Sequence, residues 1–243
     1  YAGCIGCEIM DVYDNLMQSL GEEYSLVRQL RSDGQNSVSV WRHNSSGRWY
    51  VLRRFEGGCE AYKKLLGVAS PHLPQIYEAA SSGGLSAVLE EYVCGDTLSF
   101  LIEEGALPAD AARAVARQLC AALWILHSRG VVHRDIKPEN VIVRGSEAVL
   151  IDLGAARIYK CGGSGDTQVL GTTGYAAPEQ YGLAQSDARA DIYSLGVLLN
   201  VMLTGRHPSC ETAGGHLGRV IQKCTMTSPT KRYADVLHLM RAR

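Results

Sequence analysis

The period of the apolar positions changes along this chain. Over residues 8–20, Ile9, Val12, Tyr13, Leu16 and Leu20 fall three or four apart, the spacing of an amphipathic helix. From Tyr24 the pattern turns extended. Segments 24–30, 38–42 and 49–55 predict three antiparallel strands, the last two joined by a turn at His43-Asn44-Ser45-Ser46-Gly47. A short helix is expected over 58–66. After Pro71 and Pro74, segments 75–80 and 85–90 bracket Ser81-Ser82-Gly83-Gly84 and predict a hairpin that completes a five-stranded sheet. Beyond Gly95 the helical period dominates. Pro108 opens a helix where a missing N–H costs nothing, Val115, Leu119, Leu123 and Leu126 form its inward stripe, and Gly130 follows its end. Two short strands, 141–143 and 148–151, flank Arg144-Gly145-Ser146-Glu147, and an apolar helix runs from Asp191 to Thr204 before Gly205. The pattern predicts an α+β chain: a helical extension, then an antiparallel-sheet segment with one helix, then a larger, mainly helical segment.

Composition narrows the function classes. At 243 residues, with 46% hydrophobic and 20% charged positions, the chain can bury a substantial core as one large domain or two lobes. A formal net charge of −1, and no basic stripe interleaved with aromatics, argue against a nucleic-acid partner. No apolar run reaches eighteen residues, so no membrane span is expected within this piece, and a soluble, intracellular chain is. The eight cysteines are scattered, with Cys4 and Cys7 as their one close pair. That excludes a four-ligand zinc site and predicts reduced, mostly buried thiols.

The chemistry concentrates in His133-Arg134-Asp135-Ile136-Lys137-Pro138-Glu139-Asn140 and, after the short hairpin, Asp152-Leu153-Gly154. Phosphoryl transfer needs a carboxylate to orient and deprotonate an attacking hydroxyl, and oxygen ligands to hold Mg²⁺ on the phosphates. Asp135 suits the first task and Asn140 with Asp152 the second. The two short strands place both halves at neighbouring strand ends.

These residues resemble the H-R-D-x-K-x-x-N and D-F-G motifs of the eukaryotic-type (Hanks-type) Ser/Thr protein kinase family, with Leu153 in place of Phe. The resemblance covers about 24–240. It implies a bilobal protein-kinase-like fold, with a helical extension over 1–23, the small lobe over 24–93 and the large lobe over 94–243, together with ATP and Mg²⁺ as cofactors and a protein substrate bearing a Ser or Thr hydroxyl. Autophosphorylation in trans and a cytoplasmic location, as a free domain or part of a longer membrane-anchored chain, follow as expectations. By the same resemblance Asp135 is the catalytic base, Lys137 neutralises the moving phosphate, Arg134 belongs to the catalytic loop and is expected to pair with a phosphate on Thr167 or its neighbours, and Asn140 and Asp152 are metal and nucleotide ligands. Ala177-Pro178-Glu179 matches A-P-E, with Arg232 as the partner of Glu179 and Asp191 as acceptor for the catalytic-loop backbone. Ser164, Thr167, Thr172 and Thr173 are candidate phosphorylation sites, though Thr172 is expected to touch Asp135 and Lys137.

The nucleotide-binding half departs from the pattern. Alignment on Val38 puts Arg31, Asp33 and Asn36 at the three glycine positions of the phosphate-covering loop, and Arg53 replaces the strand-three lysine. Glycines let backbone approach phosphates, and a forked guanidinium is no simple substitute for an ammonium. The helix glutamate that pairs with that cation is assigned to Glu60, one residue from the position the spacing indicates. Glu90 falls at the back of the adenine pocket, and Glu91 and Val93 fall in the hinge whose backbone reads adenine. Two functions stay open at this point: an active Ser/Thr kinase, for which every chemical residue of the large lobe is present, and a pseudokinase-like scaffold or regulator, suggested by Arg31, Asp33, Asn36 and Arg53. A small-molecule phosphotransferase is disfavoured by the full A-P-E segment.

Overall fold

A computed structural model of the chain describes residues 11–159, 172–181 and 186–242. They form two compact units: the residues through 68 with 75–92, and 69–74 with those from 93 onward.

In the first unit, α1 (Val12–Glu23) leads directly into β1 (Tyr24–Asp33), β2 (Asn36–His43) and β3 (Trp49–Glu56), then α2 (Glu60–Lys63), β4 (Ile76–Ser82) and β5 (Leu85–Glu91). The strands form one antiparallel sheet in the order β1-β2-β3-β5-β4, the five-stranded arrangement expected from the sequence. α1 begins at Val12, and positions 8–10 of the predicted helix lie outside the described residues. Its Leu16 and Leu20 enter a core with Leu52, Ala80, Ala87 and Leu89. Each buried leucine contributes about 1.5–3 kcal/mol, whereas so short a helix is marginal alone. Packing on the sheet therefore accounts for the helix.

Two predicted elements of this unit change length. The strands flanking the expected phosphate loop zip together: Arg31 pairs with Val38, Ser32 with Ser37 and Asp33 with Asn36. Only Gly34 and Gln35 remain as a turn, with Gly34 at φ 58°, the left-handed conformation that lets a two-residue hairpin close. Asn36 Oδ1 also accepts the Glu56 N–H at 3.1 Å, tying the hairpin to β3. The helix expected over 58–66 is a single turn, Glu60–Lys63. It lies between left-handed glycines, Gly57 at φ 103° and Gly67 at φ 73°, and Leu66 leaves it to bridge Ile76.

The second unit contains β6 (Asp96–Thr97), α3 (Leu98–Glu103), α4 (Ala109–His127), β7 (Val131–Val132), β8 (Val141–Arg144), β9 (Glu147–Leu150), β10 (Arg157–Ile158), α5 (Ala188–Thr204), α6 (Gly215–Cys224) and α7 (Val236–Met240). β6, β8 and β9 form one small sheet, and β7 pairs with β10. α4 starts after Pro108 and buries Leu119, Leu123 and Leu126 as expected, with Ala112 completing the stripe and Val115 only half-buried. α5 is buried on almost every side, as an all-round apolar helix must be. It stops at Gly205, whose φ of 69° lets its N–H return to the Val201 carbonyl at 2.8 Å. The β8–β9 turn is tighter than expected, because Arg144 pairs with Glu147 and only Gly145 and Ser146 cross over.

The described cysteines, Cys59, Cys94, Cys120, Cys210 and Cys224, are free thiols, with Cys94 and Cys210 exposed. Burial pushes the Cys120 thiol up to about 12. Cys4, Cys7 and Cys161 lie outside the described residues. No described helix is long and apolar enough to cross a membrane.

Candidate active site

The site in the second unit is built on a sharp turn after β7. Arg134 sits there at φ 70°, a conformation that a side chain makes unfavourable and that surrounding contacts must impose. Asp191 of α5 imposes it: Oδ2 accepts the His133 N–H at 2.9 Å and Oδ1 the Arg134 N–H at 2.8 Å. His127, in the last turn of α4, places Nε2 2.8 Å from the same Oδ2. Burial alone pushes the Asp191 carboxyl up, but the hydrogen bond and charge of His127, with His133 and the backbone donor of Arg134, hold it below its ordinary 3.8. From the other side Gln180 Nε2 donates to the Arg134 carbonyl at 2.9 Å, while its Oε1 accepts the Ala177 N–H at 3.0 Å.

His133 is enclosed, and burial holds its imidazole below the ordinary 6.5 against the pull of Asp191, Asp152 and Asp135. Nδ1 accepts the Asp135 N–H at 3.3 Å, which puts the ring proton on Nε2, facing the Ile151 carbonyl at 3.3 Å. One neutral imidazole therefore links the backbones on either side of the two carboxylates, Asp135 and Asp152.

Asp135 is held by three side chains. Its Oδ1 accepts the Thr172 hydroxyl at 2.7 Å, and its Oδ2 accepts Asn140 Nδ2 at 2.8 Å and lies 3.0 Å from Lys137 Nζ. Lys137 also donates to Thr172 Oγ1 at 2.7 Å, so these groups close a ring. This is the contact expected of Thr172. The Lys137 and Asp135 side chains keep 21% and 17% exposure, which leaves them within reach of a substrate group.

Asn140 arrives through the 3₁₀ turn Pro138–Asn140 and also donates to the Asp135 carbonyl at 2.8 Å. With its nitrogen committed to Asp135, its amide oxygen is the atom left to serve as a metal ligand. The Ile151 N–H bonds the Asn140 carbonyl at 2.9 Å, fixing the chain just before Asp152. Asp152 has φ 69°, and its Oδ1 accepts the Gly154 N–H at 3.0 Å. A Cβ on Gly154 would lie 3.0 Å from that oxygen, so the glycine leaves the carboxylate its place. A carboxylate and an amide oxygen are hard donors, a set that fits Mg²⁺ and suits a soft metal poorly.

Arg232 supports the adjoining segment. Its Nη1 and Nη2 grip Glu179 at 2.6 and 2.8 Å, and further donors reach the carbonyls of Met226, Arg189 and Thr227. The expected pair is thus formed and bidentate.

The remaining expected positions divide between the units. Val93, Asn140 and Asp152 lie in the second, and Val38, Arg53, Glu60 and Glu91 in the first. Val38 pairs with Arg53 across β2 and β3, and the Glu91 N–H is given to the Gln75 carbonyl at 2.9 Å. The assignment of Glu60 as the partner of Arg53 needs correction. Arg53 Nε lies 2.5 Å from Glu90 Oε1, whereas Glu60 pairs with Lys63 at 2.9 Å and is 63% exposed. One turn of α2, capped by glycines, does not bring that carboxylate to the cation. Arg134 is 2% exposed, so its guanidinium is enclosed by protein. Ser164 and Thr167, with the expected pairing of a phosphate and Arg134, lie outside the described residues, and Thr173 is exposed.

Gln180 and His127 went unnoticed in the sequence. His127 had a signal, a polar residue next to Leu126 at the buried end of the α4 stripe. Gln180 had none, because its partner is the backbone of a distant segment.

Comparison with known proteins bears on these features. Residues 59–236 match the protein kinase domain family, a stretch that begins beyond the four positions departing from the nucleotide-binding pattern. The chain is 33% identical over 197 residues to the serine/threonine-protein kinase pkn2 of Myxococcus xanthus, covering 78% of this chain and 23% of that one. It is 37% identical over 195 residues to PknB of Mycobacterium tuberculosis, covering 76% and 31%. With PknL of the same organism it shares 35% identity over 182 residues, covering 74% and 45%. The chain thus spans less than half the length of each of these relatives.

Proposed function

The chain belongs to the protein kinase family, and on that premise we propose that it transfers the γ-phosphoryl group of ATP to a serine or threonine hydroxyl of a protein. The observation that carries this reading is the ring of Thr172, Lys137 and Asn140 around a partly exposed Asp135. In the reaction the bond between the γ-phosphorus and the β–γ bridging oxygen breaks, a bond from phosphorus to the substrate oxygen forms, and Asp135 takes the hydroxyl proton. Lys137 sets a positive charge beside the carboxylate, where the negative phosphoryl group passes. Asn140 and Asp152 would hold Mg²⁺, which supplies charge neutralisation of the phosphates when bound. Arg134 acts through position: enclosed as it is, it shapes the turn that aims Asp135.

A second copy of the chain is among the acceptors we propose, through transfer in trans. ATP as donor places the domain in the cytoplasm, alone or as part of a longer anchored chain. The test is transfer of labelled γ-phosphate from Mg²⁺-ATP to a generic protein acceptor. Wild type should label it, whereas Asp135→Asn and Asp152→Ala should lose transfer while keeping a cooperative thermal transition. Wild-type turnover in the folded Asp152→Ala protein at low Mg²⁺ would contradict the metal assignment.

A further inference from the structure

Within the first unit, the cation on β3 has found an unusual partner. β3 and β5 run antiparallel with Val51 opposite Glu90 and Arg53 opposite Val88. Arg53 and Glu90 are therefore diagonal neighbours on one face of the sheet, a separation that long side chains span. They meet at 2.5 Å with side-chain exposures of 11% and 4%. Glu60, the helix carboxylate, stands in solvent beside Lys63. A buried charge persists only when it is paired, so this contact is part of how the sheet is built.

We propose that Glu90 is the positioning residue for Arg53 as the phosphate-anchoring cation, the task assigned from the sequence to Glu60. This inference rests on the kinase reading above and extends it. The two possible partners differ in kind. A carboxylate on a helix holds a strand cation only while helix and sheet keep their spacing. A carboxylate two positions along the neighbouring strand is fixed by the backbone ladder itself. This contact of the cation is therefore set by the sheet, and making it needs no helix movement. The same geometry accounts for arginine at position 53. A guanidinium carries donors on three nitrogens, so one residue can give Nε to a carboxylate and address a phosphate as well. An ammonium offers a single nitrogen for both tasks.

The experiment compares Mg²⁺-ATP binding by calorimetry and steady-state phosphoryl transfer in wild type, Glu60→Gln, Glu90→Gln, the single reversals Arg53→Glu and Glu90→Arg, and the exchanged double variant that carries both reversals. Thermal denaturation of each reports folding. Losing a charge-assisted contact that orients the cation should raise the KM for ATP about tenfold or more in Glu90→Gln, with a smaller change in kcat. The exchanged variant rebuilds the ion pair but reverses the charge on β3. It should recover thermal stability relative to either single reversal, yet bind Mg²⁺-ATP more weakly than Glu90→Gln. Recovery of wild-type KM in the exchanged variant would reduce the pair to a structural contact and overturn the proposal. So would a rise in KM for Glu60→Gln as large as that for Glu90→Gln, or an unchanged KM in a folded Glu90→Gln protein. These results leave the kinase reading intact if wild type transfers phosphate. A wild type that neither binds Mg²⁺-ATP nor transfers phosphate defeats that reading and this inference together.

Discussion

Thr172 shows how much one hydroxyl carries at the residue scale. It donates to Asp135 Oδ1 and accepts from Lys137, both at 2.7 Å, so it fixes the carboxylate and the ammonium at once. Valine has nearly the same shape and no hydroxyl. Thr172→Val should therefore lower kcat for phosphoryl transfer by about tenfold or more, the worth of a hydrogen bond to a charged group, while the melting temperature moves little. Steady-state kinetics with saturating Mg²⁺-ATP check this, and an unaltered kcat would remove Thr172 from the catalytic arrangement. Gly34 makes a smaller point. At φ 58° with nothing near an added Cβ, Gly34→Ala should cost about 1 kcal/mol from backbone conformation alone, measurable by denaturant titration.

At the scale of elements, the 3₁₀ turn Pro178–Tyr181 and the stretch running from Met226 to Arg232 are far apart in the chain and joined by one buried pair. The Arg232 side chain has no exposure and Glu179 has 12%. Removing the carboxylate leaves an enclosed guanidinium whose charge is uncompensated. Glu179→Ala should destabilise the domain by about 3–5 kcal/mol, and Arg232→Ala by a similar amount. The double variant should cost well under the sum, because the second truncation removes the stranded charge. Chemical denaturation of the three proteins measures the coupling; strict additivity would mean that the pair is not an energetic unit. The same turn carries Gln180, which supports the Arg134 carbonyl, so transfer should weaken alongside stability.

At the scale of the whole molecule, the groups that hold the catalytic turn also set the response to pH. His133 has its folded pKa lowered below 6.5, chiefly by burial. Between that folded value and 6.5 the unfolded chain binds a proton that the folded chain does not, so stability is full above 6.5 and falls as the pH drops through this window. Asp191, whose burial is outweighed by His127, His133 and a backbone N–H, is held below 3.8. Its contribution is present above 3.8 and is lost as the pH falls through its folded value. Melting temperature should thus decline in two stages on acidification. His133→Phe should flatten the first stage and, because His133 is one of the groups that hold Asp191 low, weaken the second without abolishing it. A slope between pH 7.5 and 5 identical to wild type in that variant would show that other groups govern it.

Much of this protein was legible before any fold was known, and the reason is locality. Helix and strand periods are properties of short windows, so the five strands, the α4 stripe and the end of α5 at Gly205 could be read directly. The groups of the candidate catalytic loop lie within eight consecutive residues, and Asp152 follows a hairpin too short to carry it elsewhere. Other features depended on partners that no window contains. Arg53 could be read as a cation on a strand, but whether it met Glu60 or Glu90 was decided by the β3–β5 register and by the one-turn length of α2. The expected phosphate loop became a closed hairpin because cross-strand pairing continued to Asp33 and Asn36. Asp191 was anticipated, yet His127 and Gln180 beside it were not, since their roles exist only once helix ends and a distant turn converge on one backbone bend. The sequence alone determined which chemical groups were present and where the chain changes period. Tertiary structure decided which charge faces which, because burial forces each charge to find a partner and only the fold sets who is near enough.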